Sequence, residues 1–130
     1  PAGATGPTGP AGTFSGTTST LTVNGPMNLP PYAWGNVGAG TYTPNVNSGT
    51  VHTMTLTGNL TMNALTNAVT GTNFTLILTQ DATGSRTLTS SMLFAGGFKT
   101  LSTAPGSIDI INVYTPNGTT YYAGLVRGYA

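Results

Sequence analysis

The 130-residue chain has no cysteine and no glutamate, and only five residues carry a fixed charge: Asp81, Arg86, Lys99, Asp109 and Arg127. Without cysteine there is no disulfide, no thiolate nucleophile and no sulfur-based metal site. The net charge is +1 with no basic run, so there is no electrostatic footprint for nucleic acid or for an anionic membrane surface. No apolar run approaches the length of a membrane span, and Leu76-Ile77-Leu78 is typical of the clusters present. Strong helix formers are rare, and no segment sustains a capped helical period. Nucleic-acid partners, membrane insertion, cofactors and enzymatic activity are therefore not expected.

Glycine, proline and hydroxyl groups fill the space that charge leaves. The first twelve residues are four in-frame triplets that place Gly3, Gly6, Gly9 and Gly12 at every third position, with proline between. Only glycine fits the axis of three wound polyproline-type strands, so the pattern reads as a collagen-like triple helix with these four glycines on its axis. The frame breaks at Ser15. A stem this short, roughly 35–40 Å at about 3 Å per residue, should not hold three chains alone. A homotrimer clamped by downstream residues is the expectation.

Threonine occurs 27 times, which suits the solvent face of strands. Residues 13–49 are rich in Gly, Pro, Thr and Asn and read as a neck and loop region. It holds one short strand, Thr20-Leu21-Thr22-Val23, and then Pro30-Pro31, which excludes a helix or a central strand and suggests an outer loop. Residues 50–130 alternate with period two. Val51–Thr57 puts His52, Met54 and Leu56 on one face, and Phe74–Gln80 puts Phe74, Leu76 and Leu78 on one face with Ile77 opposite. Asp81–Gly84 reads as a turn from which Ser85–Thr89 returns. Ser107–Tyr114, apolar on both faces, should lie inside a sheet, and Thr115-Pro116-Asn117-Gly118 should turn it into Thr119–Arg127. The expected fold is all-β: a short triple-helical stem, then a small trimeric β-sandwich or barrel head without a solenoid repeat.

Several stretches resemble a repeat common in bacteriophage tail fibre and appendage proteins. They are Gly40–Thr50 with Thr55–Asn59, Leu78–Thr87, Phe94-Ala95-Gly96-Gly97, and Ile108–Ile111 with Gly118–Ala123. The most specific element is the Gln80-Asp81 to Arg86-Thr87 block. Related chains often place tryptophan soon after it, whereas this chain has Ser90-Ser91-Met92-Leu93. The resemblance implies a trimeric, collagen-like receptor-binding appendage on the virion, outside the host cell. Its partners would be other appendage proteins and a bacterial surface receptor of polysaccharide type. Two further readings stay open: a purely structural trimerisation or decoration module, and a bacterial surface collagen-like protein.

The resemblance carries no binding residues, so the candidates come from the chain itself. Tyr32 and Trp34, bounded by proline and glycine, are candidate receptor contacts, since a flat ring with a polar edge stacks on a sugar face. For Trp34 a plug between stem and head ranks slightly ahead. His52, the single histidine, is a metal candidate only if three copies meet on the three-fold axis; a packed structural role ranks ahead. Asp81 suits turn formation with Arg86 as partner across a hairpin, and Asp109 should bond Arg127 or Lys99. A catalytic carboxylate pair ranks far behind.

Overall fold

The computed structural model describes residues 3–4, 6–7 and 24–130. The expected strand at Thr20–Val23 lies outside them. The described residues form nine strands and two 3-10 turns, with no α-helix. In chain order the strands are β1 (Tyr32–Val37), β2 (Gly40–Tyr42), β3 (Val51–Leu56), β4 (Leu60–Met62), β5 (Thr72–Gln80), β6 (Leu88–Ser90), β7 (Leu93–Phe94), β8 (Ile108–Thr115) and β9 (Tyr122–Tyr129). The all-β expectation holds.

Two sheets enclose one core. The larger has the order β1-β3-β5-β8-β9-β7, and the smaller has the order β2-β4-β6. The chain crosses from the large sheet to the small one three times, through β1–β2, β3–β4 and β5–β6. Within each sheet these strands are parallel. This is a three-coil solenoid, extended on the large sheet by the antiparallel pair β8–β9. The expected sandwich is thus correct in having two facing sheets, but its winding is that of a solenoid, and the expectation of no such repeat is overturned. In the large sheet Tyr32 aligns with His52 and His52 with Leu76. In the small sheet Gly40 aligns with Leu60 and Leu60 with Leu88. The coils are of unequal length, which is why no fixed period shows in the sequence.

The corners explain the winding. Val37–Gly40 is stacked by Thr57–Leu60 in the next coil: Thr57 N donates to Val37 O at 2.8 Å, and Gly40 N donates to Asn59 O at 3.3 Å. A Cβ on Gly58 would lie 2.7 Å from the Ala39 Cα, so two corner backbones touch only because this residue is glycine. At the opposite corner asparagines stack: Asn67 Nδ2 donates to Asn45 Oδ1 at 2.8 Å, and Asn63 Nδ2 donates to Thr43 Oγ1 at 2.9 Å.

Period two sorts the side chains. His52, Met54, Leu56, Phe74, Leu76 and Leu78 turn inward from the large sheet, and Leu60, Met62 and Leu88 meet them from the small one. Each fully buried aliphatic side chain contributes about 1.5–3 kcal/mol. Strand β8 lies inside the large sheet, as its apolar sequence requires, and the β8–β9 hairpin forms. Its connection is longer than a tight turn, because Asn117 Oδ1 accepts from both Thr119 N and Thr120 N.

Two local expectations are corrected. The stretch after Pro30-Pro31 is a strand, β1, rather than a loop. It lies at the edge of the large sheet, where the prolines precede the ladder instead of interrupting it. Residues 85–89 do not return beside β5: β6 crosses to the small sheet and pairs with β4. The intervening loop is held by Gln80, whose buried side chain accepts from Arg86 N and donates to the carbonyls of Arg86 and Ser102.

Candidate functional site

The first coil is closed by aromatic rings. Tyr32 and Trp34 project from β1, Tyr42 from β2, His52 from β3 and Phe74 from β5. Trp34 meets Tyr42 edge-on across the two sheets at 5.6 Å, and Tyr32 edge-on along β1 at 5.6 Å. His52 lies between Tyr32 and Phe74, with ring centroids at 5.2 and 4.9 Å. Such edge-to-face pairs add about 0.5–1.5 kcal/mol beyond their burial. Trp34 shares the inner side with Tyr32 by alternation, and a bulge at Gly35, whose φ is +71°, shifts the strand after it so that Val37 also turns into the core.

The structure therefore brings three sequence candidates together, in different roles. Trp34 is half-buried and its Nε1–H donates to His52 Nδ1 at 3.1 Å, so its polar edge faces inward. His52 is 0% exposed. Its Nδ1 is an acceptor, which places the proton of the neutral ring on Nε2, and Nε2 has no hydrogen-bond partner. Burial pushes the imidazole below its ordinary value, with the Gly49 backbone pulling partly back. A ring enclosed in its own chain cannot meet two copies of itself on a shared axis, so the three-fold metal candidate fails. Among the described residues no cluster of His and Asp side chains would hold a metal ion.

Tyr32 differs: it is 43% exposed. Beside it is a surface cavity of about 370 Å³, lined by Leu29, Pro30 and the turn Val46–Thr50. Gly49 joins the two, since a Cβ there would lie 4.0 Å from the Tyr32 Cβ. The cavity matches the lower end of ligand-sized sites and mixes apolar walls with Asn47, Ser48 and Thr50. The turn is built locally, with Asn45 Oδ1 accepting from Asn47 N at 3.0 Å. Sequence reasoning missed these residues. The available signal was Asn45-Val46 followed by two polar residues and a glycine, a capped turn just upstream of a strand.

The carboxylates sit elsewhere. Asp81 takes both ends of the Arg86 guanidinium, at 3.2 and 2.7 Å, and also accepts from Thr83 N and Gly84 N. The Arg86 hydrogen bond is the main cause that holds its carboxyl below the usual range. The expected partner is correct, though it sits in the crossing loop rather than across a hairpin. Asp109 does not bond Arg127 or Lys99. It is buried and accepts from Ser102 N, Ser102 Oγ and Gly128 N, whereas Arg127 donates to Thr100 O and Lys99 to Ser90 O. Buried backbone and hydroxyl donors satisfy it where a long cation would have had to be desolvated. Of the triplet glycines, Gly3 and Gly6 are exposed, with no atom within 4 Å of an added Cβ. Gly9 and Gly12 lie outside the described residues.

The model of a family described as "Putative phage tail fibre C-terminal domain" matches residues 42–121, more than half of the chain. The chain belongs to this family. A tail fibre domain is a virion component, which agrees with the resemblance carried by the Gln80–Thr87 block. The match spans β3 to β8 whole, and with them most of the solenoid and the loop that Gln80 and Asp81 hold. No curated protein and no solved structure matches the chain.

Proposed function

We propose that this domain is the trimeric tip of a tail fibre that attaches the virion to a neutral glycan on the host surface. The collagen-like triplets feed three chains into heads that hold one another. Tyr32 and the adjoining cavity are the receptor site: the exposed ring stacks on a sugar face while Asn47, Ser48 and Thr50 exchange hydrogen bonds with its hydroxyls. The observation that carries this reading is an exposed aromatic ring beside a cavity that combines apolar walls with amide and hydroxyl groups, on a domain of the tail fibre family. Attachment without catalysis fits the two carboxylates, since Asp81 is taken up by Arg86 and Asp109 by three donors.

A purely structural module is the second reading, favoured by the inward-facing N–H of Trp34. A competition assay separates the two. Purified protein should block phage adsorption to host cells, and periodate oxidation of the cell-surface sugars should abolish its binding. Failure to compete at micromolar concentration would leave the structural module as the better account.

A further inference from the structure

The large sheet has a second face, turned away from the core, that nothing among the described residues covers. Register places Ala33, Thr53, Ile77, Ile110 and Val126 in one row across five strands. A neighbouring row joins Asn36, Thr55, Thr79, Ile108 and Tyr129. Neither row contains a charged residue. The two halves of the face differ in shape. On the β8–β9 half the residues are bulky and exposed: Val126 is 49%, Tyr114 45% and Tyr122 52% accessible. On the β1–β3 half a hollow of about 260 Å³ opens between Ala33, Gly35, Thr53, Thr55 and Thr79.

An uncharged face that exposes Tyr114, Tyr122, Val126 and Tyr129 beside a threonine-lined hollow marks an interaction surface. Its occupant follows from symmetry. A three-fold ring uses heterologous contacts, in which one patch of a subunit meets a different patch of the next. A face with a ridge on one half and a hollow on the other supplies such a pair. Its width, four strand intervals or about 19 Å from β1 to β9, lets each half serve a different neighbour. The upstream Gly-X-Y triplets ask for three chains.

We infer that the outer face of the large sheet is the trimer interface, with the β8–β9 ridge around Ile110 and Val126 of one copy seated in the β1–β3 hollow around Ala33 and Gly35 of the next. This inference rests on the trimeric reading above and names its surface.

Cysteine cross-linking tests it on a chain with no cysteine of its own. In the Ala33→Cys/Val126→Cys double variant the two sulfurs of one chain are about 19 Å apart. A disulfide needs Cα atoms within about 7 Å, so any bond must join two copies. Mild oxidation should give a covalent ladder that stops at three chains, while each single variant stays uncross-linked. Ile110→Arg is the second test: the β circular dichroism should persist while light scattering reports a single-chain mass. A three-chain mass without cross-links and an intact Ile110→Arg trimer would overturn this interface and leave the trimeric reading standing. A single-chain mass for the unaltered protein would overturn both. An Ile110→Arg trimer that no longer binds cells would make this face a receptor surface, against the inference.

Discussion

Two exposed regions of the head, the Tyr32 rim and the outer face of the large sheet, differ in kind. At the Tyr32 rim a single ring adjoins a small cavity with amide and hydroxyl groups. On the outer face of the large sheet, rows of Thr, Ile and Val run across five strands from a hollow to a ridge. A sugar has one apolar face and a fringe of hydroxyls, and it fits the first. A protein surface gains by area and shape, and it fits the second. One coil pattern produces both. Residues that alternate along a strand are sorted into core and outer face, and the unstacked edge of the first coil leaves its rings as a cap.

Substitutions should separate the two regions. The largest effect is expected where they share support. Leu76 is 0% exposed beneath both, so Leu76→Ala should cost about 2–5 kcal/mol and lower melting, assembly and cell binding together. Trp34→Ala acts on the rim alone. It removes a half-buried ring and leaves His52 Nδ1 without its donor, at about 2–3 kcal/mol. Thermal melting should fall while the protein remains trimeric below its transition; a variant that melts like the parent would remove Trp34 as the cap of the first coil.

Acid should loosen the rim before the crossing loop. The folded state keeps His52 neutral below its ordinary value, so the unfolded chain takes up the proton first. The His52 contribution is present above about pH 6.5 and is lost as pH falls from there through the lowered folded value. Asp81 is also lowered, so its contribution is present above about pH 3.9 and is lost as pH falls further. Melting temperature against pH should therefore fall in two steps, and Asp81→Asn should remove only the lower one. The smallest effect is expected from salt. Neutral groups make the proposed contact, so attachment should hold nearly constant from roughly 0.05 to 0.5 M, a range over which the screening length contracts severalfold. A strong decline with salt would point to Arg86, Lys99 or Arg127 instead of the rim.

Much of the fold was legible in the residues. Period two in Val51–Leu56 and Phe74–Gln80 identified strands and their inner faces, and Ile108–Tyr114 identified an interior strand. The winding was not legible, because parallel coils are joined by loops of unequal length and the small sheet has only three residues per strand. Leu60-Thr61-Met62 and Leu88-Thr89-Ser90 stack in register, yet nothing in three residues distinguishes that from a hairpin. The site was half legible. Tyr32, Trp34 and His52 were singled out, but the inward turn of the Trp34 polar edge depends on a hydrogen bond across 18 positions. The Asp81–Arg86 pair was legible because both lie in one short loop. The partners of Asp109 were not, since Ser102 and Gly128 reach it only through the tertiary fold.

The most direct test of the attachment claim is host-cell adsorption of Tyr32→Ala beside the unaltered protein. The ring lies at the rim, on the face of β1 opposite Ala33 and the proposed interface. The variant should keep the three-chain mass and a melting temperature close to the parent's, while adsorption falls by about tenfold or more, because a weaker contact at three linked sites is compounded through avidity. A trimer that adsorbs as well as the parent would contradict the account.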